Sequence, residues 1–221
     1  MAWQLIRKHS LPTRVFHWIN VVVLSIMIWS GILIYWAHDV YKIEILGITL
    51  FSFFPTWFYE NPLWSLDHRL AQGMAWHFAF AWIFAINGIL YFIHWCWSGE
   101  WREMVPTLRS FPDAFQVVLH DLGIRKEPLP PGKFNAAQKF AYCGVILMGL
   151  GSLLTGLAIY KPTQWAGLVT LMGGYPTARL VHFALTIGYV GFVFIHLSQV
   201  ARAGWNNFRS MVIGVELVPK D

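Results

Sequence analysis

Four apolar stretches, each long enough to cross a lipid bilayer, constrain this chain of 221 residues more than any other feature. A membrane-spanning helix needs about 20 consecutive apolar residues, because it rises only about 1.5 Å per residue. Tyrosine and tryptophan recur at the ends of the stretches, as is typical of a membrane interface. The sequence therefore predicts an all-α integral membrane protein, a four-helix transmembrane bundle whose spans cover about Val15–Trp36, Leu70–Trp97, Ala137–Tyr160 and Ala178–Val200.

Composition agrees with this interpretation. Charged residues make up 12% of the chain, whereas about a quarter of a soluble domain is charged. The basic N-terminus and the apolar run after it resemble a signal peptide, but the run continues through Trp36 without a small-residue cleavage site. We find no internal repeat in the sequence. Residues 1–221 are therefore expected to form a single membrane-embedded domain.

The distribution of basic residues predicts the orientation of the chain. Of the 16 lysine and arginine residues, 12 lie in the N-terminal arm, between the second span and the first residues of the third, and in the C-terminal tail. Short loops with an excess of lysine and arginine stay in the cytoplasm, so both termini are expected to be cytoplasmic. These residues flank apolar segments and form no run with interleaved aromatics, so they do not indicate nucleic-acid binding.

Two histidines of the fourth span, His182 and His196, are 14 residues apart. On an α-helix this spacing is a rise of roughly 21 Å and about four turns, so both imidazoles lie on one face, one near each side of the membrane. Histidine within a membrane span is rare and usually functional. The spacing predicts two stacked haems between the helices, each of which needs a second histidine from another helix.

Depth in the membrane indicates the second ligands. His77 lies at the height of His182 near the outer face, and His17 lies at the height of His196 near the inner face. His94 also lies near the inner face, but it is 17 residues from His77, which rotates the two by about 100° around their helix. A haem column held only between the second and fourth spans would need both on one face. We therefore expect His17, rather than His94, to be the inner ligand.

Other uses of the four histidines remain open. They could hydrogen-bond between helices without any metal. Zinc fits less well, since no carboxylate or thiolate lies beside either predicted pair. Cys96 and Cys143 cannot form a C-x-x-C pair, so neither a covalent haem site nor an iron–sulfur cluster is expected. Two imidazoles fill both axial positions of a haem iron, which favours electron transfer over oxygen activation.

Several motifs together resemble a known family. They are Arg14-x-x-His17-Trp18, Ser30-Gly31, Lys133-Phe-Asn135-Ala-Ala137-Gln138-Lys139, Thr155-Gly156-x-x-Ile159-Tyr160-Lys161-Pro162 and His182-x13-His196. In this order they resemble the cytochrome b (gamma) subunits of membrane-bound formate dehydrogenase, nickel–iron hydrogenase and thiosulfate-reductase-type complexes. The resemblance implies two haem b groups, the outer bound by the residues at 77 and 182 and the inner by those at 17 and 196.

The same resemblance implies a quinone site and a partner. A pocket for menaquinone or ubiquinone would lie at the cytoplasmic start of the third span, with Asn135, Ala137 and Gln138 as its contacts. The chain would transfer electrons between the quinone pool and a periplasmic-side redox subunit in a bacterial inner membrane. That subunit would be an iron–sulfur protein, a molybdoenzyme or a hydrogenase module, and it would carry the substrate chemistry.

The remaining polar residues and the loops allow more than one interpretation. Asn135 and Gln138 stand at a helix start, where such residues are ordinarily caps. Arg14, Lys139 and Arg179 are candidates to neutralise haem propionates, because they lie at the ends of spans. The outer loop 37–69 is expected to include a short interfacial element that either supports a partner or packs without one. The proline-containing inner loop 98–133 is expected to be mostly irregular.

Two alternative functions stay open at this point. One is a stand-alone, b561-like cytochrome that oxidises quinol and delivers electrons to a soluble acceptor. The other is a haem-free membrane anchor for a peripheral enzyme.

Overall fold

The computed structural model describes residues 3–38, 40–126 and 134–219. In this part of the chain four helices are long and apolar enough to cross a membrane, and each begins within four residues of its predicted start. They confirm the predicted membrane-spanning, mainly helical fold. In chain order the elements are β1 (Trp3–Arg7), α1 (Leu11–Tyr35), β2 (Lys42–Ile45), β3 (Ile48–Ser52), α2 (Thr56–Tyr59), α3 (Leu70–Ser98), α4 (Trp101–Met104), α5 (Ser110–Asp121), α6 (Ala136–Tyr160), α7 (Ala166–Leu171), α8 (Tyr175–Ile213) and β4 (Val215–Pro219).

The fourth membrane helix, α8, is longer than the sequence predicted. It covers 39 residues and is interrupted at Gly204, whose φ of 78° and ψ of 177° suit glycine far better than any other residue. The interruption lies beyond both histidines of this helix. His182 and His196 therefore share one continuous helical segment, as the spacing predicted.

The inner loop is more ordered than predicted. Two short helices, α4 and α5, occupy it where irregular chain was expected. The prediction was wrong because it treated Pro112 as a residue that prevents a helix. Pro112 falls in the first turn of α5, where no intrahelical N–H donor is needed. The proline-rich stretch Pro128–Pro131 lies outside the described residues.

The chain divides into two compact units. One is Val15–Asn87, and the other combines Met1–Arg14 with Gly88–Asp221. The first contains most of α1 and the first part of α3, and the second contains α6 and α8. That the whole chain acts as one domain stays a prediction.

Matching residues stand at matching positions in the helices of the two units. Helices α1 and α6 are both 25 residues long, and their twentieth residues are Ser30 and Thr155, each followed by glycine. His77 is the eighth residue of α3, and His182 is the eighth residue of α8. The pairs α1–α3 and α6–α8 therefore form a structural repeat. The repeat is not evident when the two halves of the sequence are compared, because lipid-facing positions accept almost any large apolar side chain.

The two ends of the chain are joined. Strands β1 and β4 pair in antiparallel fashion from Trp3 opposite Pro219 to Arg7 opposite Val215. Just after β1, Lys8 Nζ lies 2.8 Å from Glu216 Oε2 and donates to Asn207 Oδ1 at 2.8 Å. The N-terminal arm and the C-terminal tail thus lie on the same side, as an even number of spans requires.

The outer loop forms a β-hairpin, β2 with β3, rather than the unspecified element that was expected. The Tyr35 hydroxyl at the end of α1 anchors it, since this oxygen accepts the Tyr41 N–H at 2.6 Å and donates to the Phe53 carbonyl at 3.3 Å. Tyr59 of α2 is buried, and its burial together with the nearby Tyr35 raises its pKa above the usual value. The hairpin tip is apolar, and Leu46 is 98% exposed. Its place in the membrane interface stays a prediction.

Candidate functional site

His182 is held by a threonine hydroxyl on the neighbouring helix. Thr155 Oγ1 lies 2.8 Å from His182 Nδ1, and the same hydroxyl donates its proton to the Gly151 carbonyl at 2.7 Å. A hydroxyl has only one proton, so its oxygen must accept a hydrogen bond from the imidazole. Nδ1 therefore carries the proton. The lone pair is on Nε2, the nitrogen that a metal would bind.

His77 has the same arrangement on the other pair of helices. Ser30 Oγ lies 3.0 Å from His77 Nδ1 and donates to the Met27 carbonyl at 3.1 Å. By the same reasoning His77 is protonated at Nδ1 and presents a lone pair on Nε2. Ser30 is fully buried, and Thr155 is 2% exposed. Both outer histidines are therefore oriented by buried hydroxyls, as ligands of metals usually are.

A glycine follows each hydroxyl and makes room for the ring. A Cβ atom added at Gly31 would lie 3.7 Å from His77 Cε1, and one added at Gly156 would lie 3.5 Å from His182 Cε1. An alanine methyl group would just fit at either position, and a branched side chain would not. The sequence contained this signal, a hydroxyl residue followed by glycine near the ends of the first and third spans. Its role became evident only from the contacts.

The inner histidines lie against aromatic rings. His17 is partly buried, and its ring meets Trp18 edge-on with centroids 5.2 Å apart. His196 stacks on Phe192, one turn earlier in α8, with a centroid distance of 5.7 Å and an interplanar angle of 9°. His94 lies in the last third of α3 and is also partly buried. Nothing described for it decides between His17 and His94, so the choice of His17 stays a prediction.

Each predicted ligand pair draws one histidine from each compact unit. His17 and His77 belong to Val15–Asn87, whereas His182 and His196 belong to the other unit. The pairing of His77 with His182, and of His17 with His196, therefore also stays a prediction. What the structure adds is the equivalent environment of His77 and His182.

A pair of buried amides lies between the heights of His77 and His17. Asn87 is 4% exposed and donates from Nδ2 to Asn20 Oδ1 at 2.9 Å and to the Phe16 carbonyl at 3.3 Å. Side-chain hydrogen bonds between membrane helices contribute about 0.6–2 kcal/mol each. This bond fixes the rotation of α1 relative to α3 and with it the direction of His17. The sequence analysis did not identify these residues.

Asn135 and Gln138 form the capping box of α6. Asn135 Oδ1 accepts the Gln138 N–H at 2.8 Å, and Gln138 Oε1 accepts the Asn135 N–H at 3.0 Å. Capping, the ordinary role of such residues, thus occupies one oxygen of each side chain. The two NH2 groups are not used by the cap. Ala137 lies within the first turn, and Lys133 lies outside the described residues.

Arg14 connects the start of α1 to the end of α8. One guanidinium nitrogen donates to the Val212 carbonyl at 2.6 Å, and a Cβ atom at Gly214 would lie 3.1 Å from the guanidinium carbon. Arg14 Nε is buried and has no hydrogen-bond acceptor among the described residues. An anionic group would supply that acceptor.

The arrangement of histidines, hydroxyls and membrane helices agrees with a comparison of the chain with known families. A family model described as prokaryotic cytochrome b561 matches residues 8–214. The chain belongs to the prokaryotic cytochrome b561 family. A relative from Azospira oryzae, named as the protein-methionine-sulfoxide reductase subunit YedZ1, is 32% identical over 202 residues, which cover 91% of this chain and 93% of the relative.

Membership in the cytochrome b561 family places the chain among membrane-bound electron-transfer proteins that bind haem b. The predictions of a b-type cytochrome, of haem and of a multi-pass membrane protein are confirmed at this level. A haem-free anchor does not agree with this membership. The narrower resemblance to formate dehydrogenase and hydrogenase subunits goes beyond what the family shows.

The residues present fit haem b. The donor set consists of imidazoles, and in the two outer ones the hydroxyl contact at Nδ1 leaves the lone pair on Nε2, the nitrogen that would bind iron. Arginine with an unsatisfied buried nitrogen is suited to a propionate.

Proposed function

We propose that this cytochrome b561-family protein is a di-haem electron-transfer subunit between the quinone pool and a redox partner at the periplasmic face. His77 and His182 would hold the outer haem, and His17 and His196 would hold the inner haem. Haem b, when bound, supplies a one-electron iron couple. Because two histidines would bind each haem, the protein would carry electrons and leave substrate chemistry to the partner.

The observation that carries this proposal is that His77 and His182 each have the same kind of contact with a hydroxyl group. Both histidines occupy the eighth position of their helix, and both have Nδ1 bonded to a hydroxyl that precedes a glycine. Two histidines in equivalent surroundings are expected to bind the same metal. A purely structural role would not require the same tautomer in both units.

The arginine at the start of α1 is an argument for an inner haem. Arg14 lies three residues, about one turn, before His17, so the two side chains share a face of the helix. Its buried Nε lacks an acceptor among the described residues, and a haem propionate would provide one. Lys139 and Arg179 remain further candidates for propionate contacts.

A quinone pocket at the start of α6 is part of the proposal. The NH2 groups of Asn135 and Gln138 are left over by the capping box and can donate to a quinone oxygen, with Ala137 as a backbone contact. The capping box makes these donors rigid, which lowers the entropy lost on binding. The quinone would be menaquinone or ubiquinone.

The name of the relative from Azospira oryzae suggests what kind of redox partner the protein has. Its name describes a subunit of a reductase, and a reductase consumes electrons. We therefore propose that electrons pass outward from quinol to a periplasmic-side reductase. An iron–sulfur protein, a molybdoenzyme or a hydrogenase module remains the alternative partner, and a stand-alone quinol-oxidising cytochrome remains the alternative without one.

The membrane in question is proposed to be the bacterial inner membrane, with both termini cytoplasmic. The joined chain ends share one side. The excess of lysine and arginine on that side favours the cytoplasm.

Haem content tests the central proposal. The purified protein should contain two haem b per chain in a pyridine haemochrome assay. His77→Ala and His182→Ala should each remove about half of the reducible absorbance, because each would abolish the same haem. A colourless wild-type protein, or unchanged haem content in both variants, would exclude the proposal.

The quinone pocket is tested separately from capping. Asn135→Ser keeps a capping oxygen but has no NH2 group, so both haems and the helix start should be retained. Haem reduction by quinol should nevertheless slow. Quinol-linked kinetics like those of wild type would remove Asn135 from the pocket.

A further inference from the structure

Two tyrosines occupy the places in the structural repeat where the other unit has its inner histidines. Tyr142 is the seventh residue of α6, as His17 is of α1. Tyr91 is the twenty-second residue of α3, as His196 is of α8. The repeat thus contains a second position at the inner height, with phenols in place of imidazoles. Each predicted haem already has two histidines, so these phenols are not needed as haem ligands and their position can serve another purpose.

The helix turns that hold the two phenols meet near a carboxylate. Trp95, one turn after Tyr91 in α3, donates from Nε1 to the Met104 sulfur, and the Met104 carbonyl lies 3.6 Å from Sγ of Cys143, the residue after Tyr142. Glu100 is partly exposed and stands where α3 gives way to α4, at the predicted cytoplasmic face. Both tyrosines are partly buried. A proton can pass from within the membrane to the aqueous phase along a row of protonatable oxygens that ends at an acid on the surface.

Aromatic and sulfur-containing side chains enclose the same region. The Phe134 ring meets Tyr142 edge-on with centroids 5.2 Å apart. Met104 accepts a hydrogen bond from Trp95 Nε1 at its sulfur at 3.2 Å, and its carbonyl lies 3.6 Å from Cys143 Sγ. An apolar wall with a few polar groups is the usual lining of a small-molecule site.

The position of Tyr142 connects this region to the start of α6. It lies four residues after Gln138, one turn along the same face of the helix. By contrast, the buried Tyr189 has a structural role, since its hydroxyl donates to the Val145 carbonyl at 3.2 Å. Tyr189 is therefore a matched control for a phenol in the same membrane.

We propose that Tyr91 and Tyr142 line the quinone headgroup site and that Glu100 receives the protons released there. This proposal deepens the function proposed above and rests on it. Oxidation of one quinol to quinone breaks two O–H bonds and releases two protons and two electrons. Each proton in turn is accepted at a tyrosine oxygen while that hydroxyl's own proton moves on toward Glu100, which releases it to water before the second arrives, so neither phenol changes its charge. The electrons leave singly by haem b to the reductase.

The test measures electron entry and binding in separate assays. In Tyr91→Phe and Tyr142→Phe, anaerobic stopped-flow reduction of haem by menadiol or decylubiquinol should slow at least about tenfold, because an acid–base group is lost. Full reduction by dithionite and two haems per chain should be retained. Tyr189→Phe should react at the wild-type rate.

Binding is followed by fluorescence titration with the quinol-site inhibitor 2-heptyl-4-hydroxyquinoline N-oxide. Loss of one hydrogen bond should raise its Kd about threefold or more in Tyr142→Phe. Glu100→Gln should slow haem reduction but leave this Kd unchanged, since Glu100 receives protons and does not touch the headgroup. If one tyrosine variant loses haem, the rate of haem reduction and the Kd of the other variant decide whether the tyrosine site exists.

The two proposals fail in different ways. A wild-type protein without haem overturns the proposed function. A haem-containing wild type that quinol reduces, with both tyrosine variants within twofold of it in rate and in Kd, overturns the tyrosine site alone.

Discussion

The hydroxyl of Thr155 lies 2.8 Å from Nδ1 of His182 and holds the imidazole as the tautomer with its lone pair on Nε2. The ring is thus oriented before any metal arrives. Preorganisation of this kind raises affinity, because no rotamer or tautomer has to be selected on binding.

Removing that hydroxyl should weaken the outer haem without touching its ligand. Thr155→Val has nearly the same shape but cannot accept the Nδ1 proton. Loss of such a supporting bond typically costs 10–100-fold in metal affinity. We expect a lower haem content by pyridine haemochrome assay and a shifted midpoint potential of one haem. Thr155→Ser keeps the hydroxyl and should behave as wild type; equal behaviour of the two variants would contradict the role of the bond.

Enlarging the glycine beside His182 should displace the ring. Gly156→Val adds methyl groups beyond a Cβ that would already lie 3.5 Å from His182 Cε1. The outer haem should be lost, as measured by the reduced-minus-oxidised spectrum, while the inner haem is retained. A Cβ atom added at Gly144 in the same helix would meet nothing within 4 Å, so Gly144→Val should leave the spectrum unchanged. Retention of both haems in Gly156→Val would show that the ring has room to move.

Gly73 allows α1 and α3 to approach each other closely. A Cβ atom there would lie 2.7 Å from Leu33 Cβ and 3.0 Å from the Ser30 carbonyl. Gly73→Ala should therefore destabilise the protein by about 1–3 kcal/mol, the usual cost of overpacking. It should also disturb the Ser30–His77 contact. Thermal unfolding in detergent measures the loss, and Gly88→Ala, which has nothing within 4 Å, is the control in the same helix.

The choice between His17 and His94 can be made with single variants. His17→Ala should abolish the inner haem and about half of the reducible absorbance. His94→Ala should keep both haems. Redox titration at the haem b α-band separates the two components. If His94→Ala, and not His17→Ala, loses a haem, the inner pair is His94 with His196.

Much of this architecture could be read from the sequence, because it depends on local chemistry. The length of an apolar run decides whether it can cross a bilayer, and the number of residues between His182 and His196 decides that both lie on one face of a helix. The repeat of hydroxyl and glycine was present in the sequence as well. Its contact with the histidines could not be predicted, because Ser30 and His77 are 47 positions apart in the sequence.

Tertiary structure decided which groups meet. The extension of α8 to Ile213, the sheet between the two chain ends and the β-hairpin of the outer loop depend on partners distant in sequence, which hydropathy does not register. The proton on Nδ1 of His77 and His182 likewise follows from hydroxyls on neighbouring helices. Periodicity along one helix predicts the direction of a side chain, but only packing between helices determines what that side chain touches and therefore which of its atoms is free to react.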